Sequence, residues 1–165
     1  GGSKNSEKIR KLILSNKSTF NKKTDLFLYL AARNENVENV INKNYKKKII
    51  LLDRFIDSTI AYQHYGMNLD KKIIQILNNY ILKKTKIDFT FLHIVNEKNL
   101  KLRLSKRKIL NRYDKFSLRF YKKVQNGFIN QSKTNRRKYL IINSNKKIDE
   151  NKKLIIKKLK ILLNI

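Results

Sequence analysis

Ile49-Ile50-Leu51-Leu52-Asp53-Arg54-Phe55-Ile56-Asp57-Ser58-Thr59-Ile60-Ala61-Tyr62-Gln63 is the stretch that decides how this chain is read. Four apolar residues run without a break from the Lys46-Lys47-Lys48 triplet to an acid. Such a run predicts a strand buried on both faces, as in a parallel sheet. Asp57 to about Tyr65 then reads as a short helix, with Gly66 ending it. Parallel α/β sheets bind their ligands at the carboxyl ends of strands, where this strand meets this helix. An aspartate there can hold Mg²⁺ or its water shell, and an arginine beside it can grip a phosphate through two parallel hydrogen bonds. Ser58 and Tyr62 are four residues apart, as are Thr59 and Gln63, so each pair shares a helix face. A plainer reading keeps Asp53 as a helix cap and Arg54 as the partner of a surface carboxylate.

Outward from this stretch the pattern alternates. Ser6 to Leu14 carries Ile9, Leu12 and Ile13 at helical spacing. Thr24 reads as an N-cap with Asp25 in the first turn, opening a helix to about Asn42 whose stripe is Leu26, Leu30, Val37 and Ile41. Lys71 to Leu82 is a further helix, and Phe89 to Val95 a second strand. Asn96 can cap a helix from Glu97 to about Lys108. A basic, irregular stretch around Asn111-Arg112-Tyr113-Asp114 precedes a helix from about Phe116 to Ser132. Tyr139 to Ile142 is a third strand and Asp149 to Leu163 a closing helix. Strands alternating with helices mean an α/β fold with a mostly parallel sheet. No repeat and no linker composition interrupts residues 1–165, which therefore read as a single domain.

The net charge is +28, from 40 Lys and Arg against 12 Asp and Glu. Charge of that size predicts affinity for a polyanion such as nucleic acid or an anionic membrane. The competing source is coding bias. Lys, Asn and Ile, which have A/T-rich codons, are in excess, while Pro and Trp are absent and Gly nearly so. The absence of cysteine rules out disulfides and thiolate metal sites, and fits a reducing compartment. No apolar run approaches the roughly 18 residues of a membrane span. Lys152 to Leu159 has the pattern of a basic amphipathic surface binder, but equally that of a last helix packing its apolar face on a sheet.

The segment from Asp53 to Gln63 resembles the thymidylate kinase signature, in which Asp-Arg-Tyr/Phe is followed by Ser and then Ala-Tyr-Gln. Asp53, Arg54, Phe55, Ser58, Ala61, Tyr62 and Gln63 keep that spacing, while His64 replaces a usual Gly and Met67 a frequent Arg. Tyr29-Leu30-Ala31-Ala32-Arg33 resembles the family's Phe-Ala-x-x-Arg helix, with Asn36 where a His is frequent. Asp88-Phe89-Thr90-Phe91-Leu92 is similar to its Pro-Asp-Leu-Thr-x-x-Leu strand, with Ile87 for Pro and Ile94 for Asp. Gly1-Gly2-Ser3 and Ser6-Glu7-Lys8-Ile9-Arg10 are similar to its Pro-Gly-Gly-Thr segment and following helix. Phe120, Val124, Gly127 and Phe128 match the helix after its lid.

The resemblance implies a P-loop-type nucleoside monophosphate kinase, a parallel sheet flanked by helices, that moves a phosphoryl group from ATP to dTMP with Mg²⁺. Arg54 would hold the dTMP phosphate and Asp53 would lie near Mg²⁺. Tyr29 would stack on thymine, and Arg33 would donate to its ring oxygen. Ser58, Thr59, Tyr62 and Gln63 would line the dTMP pocket. Arg103, Arg107 and Arg112 would face ATP from a lid at about 105–116, as arginine fingers do. Without the resemblance, Tyr29 reads as core, and Arg33 and these lid arginines as solvated charges. The resemblance also implies a cytoplasmic homodimer with no membrane association and at most weak, non-specific nucleic-acid binding.

One part of the pattern is not in these residues. Phosphates of ATP are cradled by G-x-x-x-x-G-K-S/T, and Gly1, Gly2, Gly66 and Gly127 do not have that spacing. In the family this loop and the first strand precede the segment matching Gly1. The expectation is a chain incomplete at its N-terminus, poorly stable and inactive by itself. Three alternatives stay open: a kinase for another nucleotide or nucleoside on the same fold, a basic nucleic-acid-binding module, and an inactive paralogue.

Overall fold

Polar side chains at helix starts place the elements. Ser3 opens α1 (Lys4–Leu14) by accepting from the Ser6 amide. The computed structural model describes residues 2–83 and 85–165, so Gly1, part of the opening motif, lies outside the described residues. The described residues gather into two compact units. The first holds the chain up to Lys86 together with Ile109–Asn130; the second holds Ile87–Lys108 and Gln131–Ile165.

In the first unit α2 spans Lys22–Asn36 and continues through a π-helical turn, Val37–Ile41, into α3, Asn42–Asn44. Its cap is Asn21 rather than the expected Thr24: the Asn21 Oδ1 accepts from the amides of Lys23 and Thr24. Asn, with extended backbone, caps at least as well as Thr. The shift places Asp25, read as a first-turn charge, in the interior at 3% exposure. The stripe of Leu26, Leu30, Val37 and Ile41 is buried as the spacing requires, and packs with Ile74, Ile81 and Leu82 of α5 (Lys71–Leu82). Each such side chain contributes about 1.5–3 kcal/mol on burial. Asp70 caps α5 by accepting from the amides of Lys72 and Ile73.

Ile49–Leu52 does not form the expected strand. The run lies in the first unit, bracketed by positive φ at Lys46 and Arg54. Leu51 is 82% exposed. A strand exists only through its ladder partners, and the two described strands pair with each other. Apolar composition records a residue's preference for burial, not which neighbour provides it.

The chain then turns sharply at Arg54 into α4 (Ile56–Thr59), which widens into a π-helical turn over Ile60–Gly66. Gly66 ends that turn, but the left-handed residue beyond it is Asn68, at φ 62°. Gly66 is instead demanded by packing: a Cβ there would meet the Phe120 ring at 2.6 Å. The approach is reciprocal, since a Cβ at Gly127 would meet Tyr65 Cδ2 at 2.6 Å and its Cβ at 2.9 Å. Phe120 and Gly127 lie on α7 (Leu118–Thr134), which starts in the first unit and ends in the second. Before α7, the irregular stretch is a 3₁₀ turn, Arg112–Lys115, closed by a reciprocal capping box between Asn111 and Asp114.

The second unit holds the sheet. β1 (Thr90–Ile94) and β2 (Tyr139–Asn143) run parallel, Thr90 opposite Tyr139 and Ile94 opposite Asn143. Asn96 caps α6 (Glu97–Ser105) through the Asn99 amide. The closing helix α8 (Ile148–Leu163) turns Asn151, Ile155, Lys158 and Leu159 inward to partial burial. The Lys158 ammonium lies 4.9 Å from the Phe89 ring centre. None of the described helices is long and apolar enough to cross a membrane.

Gly127→Ala tests the close approach of Tyr65, whose Cβ has no freedom to swing aside. The substitution should cost about 1–3 kcal/mol, read by urea unfolding. An unchanged midpoint would contradict this packing.

Candidate active site

The junction between Leu52 and α4 holds the motif residues, and its backbone is strained at Arg54. Arg54 sits at φ 64°, a conformation that costs a non-glycine residue about 1–3 kcal/mol and clusters at functional sites. From there Arg54 Nη1 donates to the Tyr62 hydroxyl at 3.0 Å, and its guanidinium carbon lies 5.3 Å from that ring's centre. Asp53 precedes it on the exposed surface. The π-helical turn keeps the expected pairing of faces: Thr59 and Gln63 are both 2% exposed, while Ser58 and Tyr62 are partly buried. Gln63 Nε2 is buried and meets no acceptor, a free donor held in place by its surroundings.

Helix α2 supplies the other wall. Arg33 Nη1 donates to Asn78 Oδ1 at 2.9 Å, and its Nη2 to the Phe55 carbonyl at 3.2 Å. One arginine thus ties α2 to α5 and to the residue after Arg54. Burial pulls the Arg33 guanidinium down to about 10, with Asp57 and Tyr29 opposing. At neutral pH it therefore remains a cation that only donates. Tyr29, one turn before Arg33, is partly buried, and its phenol is pushed up, chiefly by burial. Its ring meets Tyr113 edge-on at 5.9 Å between centres, and Tyr62 meets the same ring at 6.0 Å.

The three arginines expected on a lid fall differently. Arg112 belongs to the first unit, and its guanidinium is committed to Asp25, whose carboxylate also accepts from Tyr113 Oη at 3.1 Å. It does not stand free toward a phosphate, because the acid that sequence patterning assigned to a helix start is the buried partner that neutralises it. Arg103 and Arg107 belong to the second unit. Arg103 donates to the Ser144 carbonyl at 2.7 Å, and Arg107 lies just past the end of α6. The segment 105–116 is therefore shared between the two units.

Asn78, Asp25 and Tyr113 were missing from the sequence-based site. Asn78 had a legible signal: it is a polar residue on the buried stripe of α5, with Ile74, Ile81 and Leu82. Asp25 had one as well, standing four residues before Tyr29 on the site face of α2.

A family model, Thymidylate kinase, matches residues 1–155. A thymidylate kinase of Acholeplasma laidlawii is 37% identical, over 90% of this chain and 75% of that protein. One from Mycoplasma capricolum is 35% identical, over 97% of this chain and 79% of its own length. Among solved structures, the thymidylate kinase of Ehrlichia chaffeensis superposes with a TM-score of 0.75 at 28% identity, covering 97% of this chain and 76% of that one.

Asn78→Leu should remove the charge-assisted bond that holds Arg33 and cost about 1.5–3 kcal/mol in urea unfolding. Asn78→Asp, which keeps an acceptor, should cost less; equal losses in the two would show that the bond to Arg33 is not the cause.

Proposed function

We propose that this chain, which belongs to the thymidylate kinase family, takes part in phosphoryl transfer from ATP to dTMP, giving dTDP. The observation that carries the reading is the convergence of Tyr29, Arg33, Arg54 and Tyr62 in one unit, with Arg33 and Arg54 held by neutral oxygens alone in the bonds described above. Both remain cations, with Asp57 acting on Arg33 and Asp53 on Arg54. Arg54 grips the dTMP phosphate, and Tyr29 offers a flat ring to the base. Arg33 donates to a ring oxygen, which separates thymine and uracil from cytosine, whose corresponding group is a donor. Ser58 and Tyr62, both partly exposed, line the remaining surface, while Thr59 and Gln63 are buried.

Among the described residues no three His, Cys, Asp or Glu gather around a metal position. Mg²⁺ does not need such a cage, because it binds through one or two carboxylates plus substrate phosphates and water. Asp53, exposed beside Arg54, fits that single-carboxylate role. When bound, the ion neutralises charge on the phosphates. Arg103 and Arg107 are assigned to the ATP side, where cations stabilise the transferring group. Arg112, neutralised by Asp25, is not. Transfer is direct and in line, so the residues contribute by positioning and charge and no covalent enzyme intermediate forms. The same reading takes the protein as a cytoplasmic homodimer.

Arg54→Ala should abolish ATP-dependent dTMP phosphorylation by the full gene product, measured by coupled ADP release, while the far-UV spectrum stays unchanged. In these 165 residues, calorimetric titration should show dTMP binding at least tenfold weaker in Arg54→Ala, a loss of about 1.4 kcal/mol or more. Near-normal turnover would remove Arg54 from the phosphate site. Equal affinity for dTMP and dCMP in the parent would remove Arg33 from base selection.

A further inference from the structure

Asp25 is 3% exposed and lies on α2 one turn before Tyr29 and two before Arg33. Its two oxygens take Arg112 Nη2, and Oδ2 also accepts from the Tyr113 hydroxyl. Arg112 Nη1 adds a bond to the Ser18 carbonyl at 3.3 Å. Tyr113 is 6% exposed, and its carbonyl accepts from the Tyr121 hydroxyl at 2.8 Å. The first two residues of the 3₁₀ turn are thus fixed, to the start of α2 by Asp25 and to α7 by Tyr121. What it holds is the Tyr113 ring, edge-on to Tyr29 and Tyr62 and, at 5.2 Å, to Phe116. Burial, followed by Tyr29 and Asp25, pushes the Tyr113 phenol far up, so it stays a donor to Asp25 throughout the working range.

We propose that Asp25 is a positioning residue for nucleotide binding: by holding Arg112 and Tyr113 it fixes the ring against which Tyr29 and Tyr62 take their orientation. The proposal rests on the dTMP-site reading above. The ion pair is partly buried, with side-chain exposures of 16% for Arg112 and 4% for Asp25. A buried pair of this kind adds little net stability over apolar replacements of similar volume, whereas removing one partner alone is strongly destabilising. That asymmetry separates a positioning role from a structural one.

Calorimetric titration of the chain with dTMP, alongside thermal unfolding, tests this. Asp25→Asn should weaken dTMP binding roughly tenfold or more, as misplaced positioning groups do. Because that variant leaves Arg112 without its counter-charge, it should also melt earlier. The deciding variant is the double Asp25→Leu/Arg112→Met, which removes both charges together. Its midpoint should stay above that of Asp25→Asn, the Tyr113 hydroxyl alone being left without its acceptor, while its dTMP affinity still falls about tenfold. Asp25→Glu should recover most of the affinity. Parent-like dTMP affinity in the double variant, or in Asp25→Asn, overturns the proposal and leaves the site reading intact. A parent that binds no dTMP overturns the site reading, and this one with it.

Discussion

One helix sets the geometry on which the first unit depends. Successive residues of α2 advance by about 100° around its axis, so residues four apart drift by only about 40°. Asp25, Tyr29 and Arg33 therefore form one stripe, and Leu26, Leu30 and Val37 form a neighbouring one. The second stripe is driven into the core against α5. That packing leaves the first stripe no freedom to rotate away. Each member of the site stripe then fastens a different part of the chain: Asp25 the 3₁₀ turn, Tyr29 the aromatic cluster, Arg33 the Phe55 carbonyl and Asn78. The apolar stripe supplies the free energy and the polar stripe uses the resulting rigidity.

What was legible in the sequence follows the range of the interaction involved. Helical stripes depend on local periodicity, so Leu26 to Ile41 and the cap at Asn96 could be read directly. The family resemblance carried by Asp53 to Gln63 was also legible, and the family model matches residues 1–155. Ile49–Leu52 was misread as a strand because pairing is decided by a partner that the run itself does not encode. Asp25 lies in the first turn as read, but its burial was not legible, because charge near a helix start has two explanations. It can complement the helix dipole on the surface, or it can be a buried anion waiting for a cation. Only the presence of Arg112, 87 residues away, decides between them.

Aromatic packing joins site and core into one structure. Ile13, Met67 and Tyr113 form a buried cluster against which Tyr29, Tyr62, Phe116 and Phe120 pack. Two of these rings, Tyr29 and Tyr62, also belong to the proposed nucleotide site. Edge-to-face contacts add about 0.5–1.5 kcal/mol each beyond burial, and they fix ring orientation as well as distance. The strain at Arg54 is tolerated for the same reason. The Tyr62 hydroxyl that receives Arg54 is on a ring held from several sides, so the turn cannot relax without disturbing that packing.

Charge at the site also decides how the net charge of +28 should be weighed. No described lysine is buried, so most of that charge sits in solvent. There it is screened over about 8–10 Å at ordinary ionic strength. Such a shell attracts any polyanion weakly and selects none. The arginines of the first unit are differentiated instead. Arg112 is cancelled by a buried carboxylate, Arg33 is bound by an amide oxygen and a carbonyl, and Arg54 by a phenol. Arg33 is half-buried and Arg54 exposed, each beside an aromatic ring and each within the field of an aspartate, Asp57 and Asp53. There an anionic nucleotide would meet donors fixed by hydrogen bonds rather than mobile lysines. The feature that bears on function is therefore how these two guanidinium groups are held in place, and the total of +28 carries little of it.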